Sequence, residues 1–185
     1  MAVGKLFVIS GPSGAGKGTI CKRILGGDES IKFSVSMTTR APRAGEVDGA
    51  DYFFTTKEEF EVLLAEGGLL EYNKYLDNYY GTPRKQVMEW LEDGHNVILE
   101  IDYNGAFQVR ESYPEAILIF ILPPSVEALK ERIISRGTET HESMTKRLEE
   151  ALNEMAQAGK YDYRVVNDDI QSAVKQVREI MNKEA

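Results

Sequence analysis

The sequence predicts an α/β fold with a central parallel sheet in a three-layer arrangement, an inserted α+β subdomain and a small lid. Three observations carry that expectation. Strand-length apolar runs alternate with helical patterns along most of the chain. The first of these runs, Leu6-Phe7-Val8-Ile9, leads straight into a glycine-rich turn and then a helix. Residues from about 37 to 82 break the alternation, with tyrosines, glycines and short extended pieces around one helix.

Taken in order, Lys5 to Ser10 reads as a buried strand. The helix after the turn runs to about Leu25 and stops at Gly26-Gly27. Phe33 to Ser36 reads as a short strand. Thr56 opens the helix of the irregular stretch, Glu59 completes a capping box, and Gly67-Gly68 ends it. Asn96 to Ile101 is an apolar run carrying Glu100 near its end. Ala116 to Leu122 is nearly all apolar, as a strand covered on both faces must be. Pro123-Pro124 then separates it from a helix that Ser125 can cap. Tyr163 to Val166 is the last strand, and the remaining helices lie near 104–112, 125–136, 143–159 and 170–183. Ser135 to His141 is polar and rich in turn residues, which predicts a mobile lid. Leu148, Ala151, Leu152 and Met155 have helical spacing and read as core packing.

The 185 residues suit one compact domain with small inserted parts, and bury enough surface for a substantial core. A net charge of −8 excludes broad binding to nucleic acid or an anionic membrane, which needs a basic face. No apolar run approaches the roughly 20 residues of a membrane span, and the N-terminus has no signal pattern. The single cysteine, Cys21, has no internal disulfide partner and reads as a small core residue. A reducing, cytoplasmic setting is the expectation.

The glycine-rich turn is Gly11-Pro12-Ser13-Gly14-Ala15-Gly16-Lys17-Gly18-Thr19, a P-loop by its spacing. Glycines let successive backbone N–H groups turn inward around a polyphosphate, where a Cβ would clash. Lys17 adds a point charge, and the helix beginning there aims its positive end at the same anion. Gly18 stands where the pattern asks for a hydroxyl residue, so Thr19 is the candidate Mg²⁺ ligand, otherwise replaced by phosphates and water.

A second constellation holds Arg40 and Arg43 around Pro42, followed by Tyr52. Two guanidinium groups three residues apart can converge on one phosphate, and Tyr52 can donate a hydroxyl. Glu71 ends an apolar approach, which suggests a carboxylate held at a defined place; Ser36, Thr82 and Asp102 offer further acceptors. Glu100 and Asp102 close a central strand, where open α/β sheets bind ligands. Asp102-x-x-Gly105 also resembles part of a GTPase, but no Asn-Lys-x-Asp motif follows, because Asn73-Lys74-Tyr75 leads to Leu76. Arg132 and Arg136 share a helical face and Arg147 lies beyond the lid, so the three can neutralise charge during phosphoryl transfer. Asn167, at the end of the last strand, is a candidate for touching a nucleotide base, and capping by the Asn167-Asp168-Asp169 cluster is the alternative.

Taken together these segments resemble the guanylate kinase family over nearly the whole chain. The resemblance rests on Gly11 to Lys17, Ser36 through Gly45, Gly49-x-Asp51-Tyr52, Asn78-Tyr-Tyr-Gly81, Glu100-Ile-Asp102 and Arg136-Gly-Thr-Glu-Thr140. It implies transfer of the γ-phosphoryl group of ATP to GMP, and to dGMP, with Mg²⁺. It implies one domain over residues 1–185, with a core of about 1–36, 83–134 and 148–185, a GMP-binding insert of about 37–82 and a lid of about 135–147. Ser36, Arg40, Arg43, Tyr52, Glu71, Tyr80, Thr82, Glu100 and Asp102 would hold GMP. Arg40, Arg43, Tyr52 and Tyr80 would take its phosphate; Ser36, Glu71, Thr82 and Asp102 would read guanine. Gly11 to Thr19 and Asn167 would bind ATP. Lys17, Arg43, Arg132, Arg136 and Arg147 would serve catalysis. The nucleotides are the expected partners, with no nucleic acid or membrane, and the chain would be a monomer or a homodimer.

Overall fold

The computed structural model describes residues 3–26, 28–135 and 141–185. Among these, nine strands and seven helices form an α/β fold with a central parallel sheet of five strands. The strands of that sheet are β1 (Leu6–Ser10), β2 (Ile31–Phe33), β7 (Asn96–Glu100), β8 (Ile117–Leu122) and β9 (Tyr163–Val166), ordered β2-β7-β1-β8-β9. The second sheet holds β3 (Met37–Thr38), β4 (Phe53–Phe54), β5 (Leu69–Tyr75) and β6 (Asn78–Pro83), ordered β4-β3-β6-β5.

The chain divides into two compact units. The first holds 1–6, 30–99 and 104–116; the second holds 7–29, 100–103 and 117–185. In the second unit, β1 pairs with β8 in parallel from Phe7↔Ile117 to Ser10↔Phe120, and β8 pairs with β9. All five residues of β1 are buried, as are Leu118 to Ile121 of β8. Each fully buried aliphatic or aromatic side chain contributes roughly 1.5–3 kcal/mol, so this two-faced burial anchors the loop that follows β1. Helix α1 (Lys17–Leu25) packs against α7 (Ile170–Glu184), and α5 (Val126–Ser135) against α6 (His141–Met155). Leu129, Ile133 and Ala151 form the α5–α6 contact, with Met155 against it.

In the first unit, β2 pairs with β7 from Ile31↔Asn96 to Phe33↔Ile98. The hairpin β5–β6 and the β3–β6 pair are antiparallel, whereas β3–β4 is parallel. Helix α2 (Lys57–Ala65) starts at the Thr56–Glu59 capping box expected from sequence. The unit is completed by α3 (Arg84–Glu92) and most of α4 (Tyr103–Ser112). Gln108 on α4 accepts the Tyr72 N–H at 3.1 Å and donates to its carbonyl at 2.8 Å, which occupies the open edge of β5.

Several boundaries differ from the sequence expectation. The strand read as Phe33 to Ser36 is instead Ile31–Phe33. Ser36 has left that sheet: its carbonyl accepts the Phe53 N–H at 2.9 Å, next to the short strand β3 of the other sheet. The helix read as 143–159 spans His141–Met155 and gives way to a 3₁₀ turn at Ala158–Lys160. Leu152 was read as core but is 41% exposed, because Ala151 and Met155 take the inward face of α6. Helix α3 went unread, its four-residue apolar spacing (Val87 and Leu91) being hidden among polar residues. Cys21 is buried as expected, and burial pushes its thiol up. Ser125 does cap α5, accepting the Ala128 N–H at 3.0 Å. Arg136 and most of the proposed lid turn lie outside the described residues.

Candidate active site

In the second unit, β1 delivers the chain to Gly11 and α1 begins at Lys17, so residues 11–16 form a bare turn between buried elements. Gly16 has φ 93°, in the left-handed region where a side chain is strained. A Cβ there would also lie 2.4 Å from the amide nitrogen of Asn167. That nitrogen donates to the Ala15 carbonyl at 2.7 Å from a residue only 5% exposed. Asn167 therefore braces the loop from the end of β9, and its amide nitrogen is committed there. Capping of α7 falls to Asp169, whose carboxylate accepts the Ser172 N–H at 2.8 Å.

Three cations of this unit meet the loop or its brace. Lys17 Nζ donates to the carbonyls of Gly11 at 2.5 Å and Pro12 at 3.2 Å. Arg132 Nη2 donates to the Asn167 carbonyl at 3.1 Å. Arg147 Nη2 reaches the Ser13 hydroxyl at 2.9 Å, across 134 residues of sequence. Two of the three arginines singled out from sequence thus touch the P-loop or its brace.

Two cavities flank the loop. One, of about 520 Å³, is lined by Gly11 to Thr19 residues together with Lys22, Glu100, Asp102 and Glu154. The other, of about 500 Å³, is lined by Gly14, Gly16, Thr19, Arg132 and the 167–170 segment. Thr19 is exposed and shared by both. A Cβ on Gly18 would face the Glu100 carboxylate oxygens at 3.6 and 3.7 Å. The hydroxyl missing at position 18 therefore stands opposite a carboxylate. Burial pushes the Glu100 carboxyl up, while Lys17 and Lys22 pull it down. Glu154 behaves likewise: burial raises it first, Lys17 lowers it, and Asp102 and Glu150 raise it further. Glu154 was missed in the sequence, although it lies seven residues beyond Arg147 on one helical face. Among the described residues, no group of three His, Cys, Asp or Glu could hold a metal ion. The exposed Thr19 hydroxyl nonetheless suits Mg²⁺, which takes few protein oxygens and completes its shell with phosphate and water.

The first unit assembles a different kind of site, from side chains. Arg40 Nη1 and Nη2 both donate to the Glu46 carboxylate at 2.9 Å, a two-pronged ion pair. Nη1 also donates to the Ala41 carbonyl at 2.7 Å. The guanidinium lies 5.4 Å over the Tyr52 ring, and Tyr52 meets Tyr80 edge-on at 6.0 Å. The Arg43 N–H donates to Glu46 as well, at 2.7 Å, and its side chain is exposed. The Arg40 bonds first, then the Arg43 N–H, hold the Glu46 carboxyl well below the usual range, at about 2. Glu46 carried no role in the sequence reading; its signal was the three-residue spacing from Arg43.

Deeper in the hairpin, the Thr82 hydroxyl donates to Glu71 Oε1 at 2.6 Å. Glu71 is 6% and Thr82 1% exposed, so this carboxylate is not the surface acid that a glutamate usually is. Gly81 permits the pairing: a Cβ there would meet the Glu71 carbonyl at 2.9 Å and the Phe60 ring at 3.1 Å. Ser36 and Tyr80 are half-buried and Asp102 is exposed.

The guanylate kinase family profile matches residues 3–184. A curated guanylate kinase of Oceanobacillus iheyensis is 54% identical over 98% of this chain and 88% of its own. One of Clostridium tetani is 54% identical over 100% of this chain and 88% of its own. The crystal structure of guanylate kinase from Anaplasma phagocytophilum superposes with a TM-score of 0.80 at 36% identity, covering 99% of this chain and 87% of that one.

Proposed function

The chain belongs to the guanylate kinase family and is an ATP:GMP phosphotransferase, and from that premise we propose which residues do the work. The observation that carries the assignment is the buried Glu71–Thr82 pair. Guanine presents N–H donors at N1 and N2, which one fixed carboxylate can accept together. Adenine has a lone pair at N1, so the same carboxylate repels it. A polar mismatch of that kind discriminates by ~10⁴ or more. Ser36 and Asp102 complete base recognition on this reading, and Glu100, the last residue of β7, is the further acid assigned to GMP. Arg40, Arg43, Tyr52 and Tyr80 take the GMP phosphate, with Glu46 holding the Arg40 fork in place. On this reading dGMP, which carries the same base and phosphate, is a second acceptor.

The ATP phosphates lie in the backbone cradle of Gly11 to Thr19. Lys17 turns from the Gly11 and Pro12 carbonyls to the outer phosphates. Mg²⁺ bound with ATP would supply charge screening, and Thr19 is the residue that would hold it, with phosphates and water completing its shell. Arg132, Arg136 and Arg147 neutralise the transferring group, contacts of a kind worth ~10³–10⁵ in rate. The GMP phosphate oxygen is already anionic, so no protein base is needed. Alignment and exclusion of water supply the rest of the catalysis.

No helix among the described residues is long and apolar enough to cross a membrane. The acidic charge supports a protein that avoids nucleic acid, and the lone buried cysteine supports a reducing, cytoplasmic setting; on this reading the chain is a monomer or a homodimer. The test is ADP release from ATP with GMP, AMP, dTMP or no acceptor. ADP release with GMP far above the others supports the base assignment; equal release with AMP moves it away from Glu71.

A further inference from the structure

A strand alternates its faces, so successive buried residues on an edge strand need a cause. Leu69, Leu70 and Glu71 are such a run at the start of β5. The cause is a break in register against β6: Leu69 stands opposite Pro83, but Glu71 stands opposite Thr82. Two steps along β5 are matched by one along β6, which makes Leu70 the extra residue of a β-bulge. The bulge decides where the carboxylate goes. In unbroken register Glu71 would share a face with Leu69 and Pro83, the face away from Thr82. The shift turns it to the Thr82 side, where the hydroxyl donates to it at 2.6 Å.

β5 is an edge strand, so its outer backbone groups beside the bulge have no strand to bond. Helix α4 supplies the partner. Gln108 accepts the N–H of Tyr72, the residue directly after Glu71, at 3.1 Å and donates to its carbonyl at 2.8 Å. A primary amide carries an acceptor and a donor side by side, so it takes the place of a neighbouring strand's peptide group. One turn along the same helical face, Ser112 Oγ donates toward the carbonyl of Leu70, the bulged residue, at 3.3 Å. Its single proton is shared with the Val109 carbonyl at the same distance, so Gln108 is the firmer grip.

We propose that Gln108 is a positioning residue for base recognition: its amide locks the bulge at Leu70 and so keeps the Glu71 carboxylate on the Thr82 side, where guanine is read. The proposal rests on the reading of Glu71 as acceptor of the guanine N–H groups and extends it to a residue on another element. Without Gln108 the outer groups of Tyr72 face water, and the register around Leu70 is no longer pinned. A slip of one residue carries Glu71 to the wrong face. Base affinity then suffers, while phosphate handling and turnover do not.

Steady-state kinetics of the full chain with GMP and AMP as acceptors tests this. Gln108→Ala should raise the KM for GMP by ~10-fold and lower the preference for GMP over AMP by a similar factor. Its kcat and its KM for ATP should stay within about twofold of wild type. The double variant Gln108→Ala with Glu71→Gln separates positioning from general loosening. Once the carboxylate is gone, loss of Gln108 should add less than about twofold to the GMP KM. An unchanged GMP KM in Gln108→Ala overturns the proposal, as does a rise that adds in full on Glu71→Gln. Equal losses with ATP and GMP also overturn it. Should Gln108→Ala not fold, Gln108→Glu is read in its place by the same criteria. It keeps the side chain's size and the acceptor for the Tyr72 N–H, but sets an oxygen against the Tyr72 carbonyl. If Glu71→Gln alone leaves the GMP KM unchanged, the base-reading assignment fails first, and the proposal with it.

Discussion

On the proposed reading, the two units handle anions by opposite means. The second unit offers a phosphate the main chain itself, held open by glycines and braced from behind by the buried Asn167 amide. The first unit offers side chains, and it has already given its best fork an internal partner in Glu46. A backbone cradle keeps its shape whether or not a ligand is there. A guanidinium on a flexible stem needs an anchor to be pre-positioned, and Glu46 is that anchor. The comparison teaches that an acid beside an anion site can serve the site's cation: Glu46 holds the Arg40 fork in place.

The contrast can be broken by substitution, and the largest effect should come from the cradle. Lys17→Ala is expected to lower kcat by ~10²–10³, as loss of a transition-state donor does. GMP affinity should stay within a few-fold, read by steady-state kinetics and calorimetry. Next is Glu71→Gln, which turns a two-acceptor carboxylate into an amide of mixed polarity. It should raise the KM for GMP by ~10², with the KM for ATP unchanged. Equal GMP kinetics would move base reading elsewhere.

Glu46→Gln sharpens the idea of an anchored fork. Losing one charged prong should raise the GMP KM by ~3–10-fold with little change in kcat. The pH dependence follows with a definite sign. The folded Glu46 carboxyl titrates at about 2, below its ordinary value, so its contribution is present above the ordinary value and fades as pH falls through about 2. Acid unfolding curves of wild type and Glu46→Gln should therefore converge at the lowest pH. The smallest effect belongs to Glu100. Burial raises its carboxyl, so its ionised form costs stability once pH rises through the unfolded and then the folded value. Glu100→Gln should raise the melting temperature of the ligand-free protein at neutral pH by ~2–4 °C. No rise would mean that Lys17 and Lys22 fully offset the burial.

The fold was legible wherever periodicity and punctuation agreed. The runs at 6–10 and 117–122, and the Thr56–Glu59 box, leave few alternatives. The strand near Phe33 was misplaced because Ser34 to Ser36 continues an extended pattern that the backbone spends in crossing to another sheet. In the site, the P-loop was readable because glycines report on the main chain directly. The resemblance named the carboxylate of Glu71, but the residues alone did not show its burial, which comes from a hairpin partner eleven positions away. Asn167 as a brace depends on a contact across 152 positions, and no local pattern encodes that.

The central claim is that the chain holds one nucleotide by its backbone cradle and the other by its guanidinium forks. Calorimetry on two variants, Lys17→Ala and Arg43→Ala, tests it most directly. Lys17→Ala should lose heat with ATP and keep it with GMP, and Arg43→Ala should do the reverse. A variant that loses both nucleotides while remaining folded, or one that keeps both at full affinity, would contradict the account.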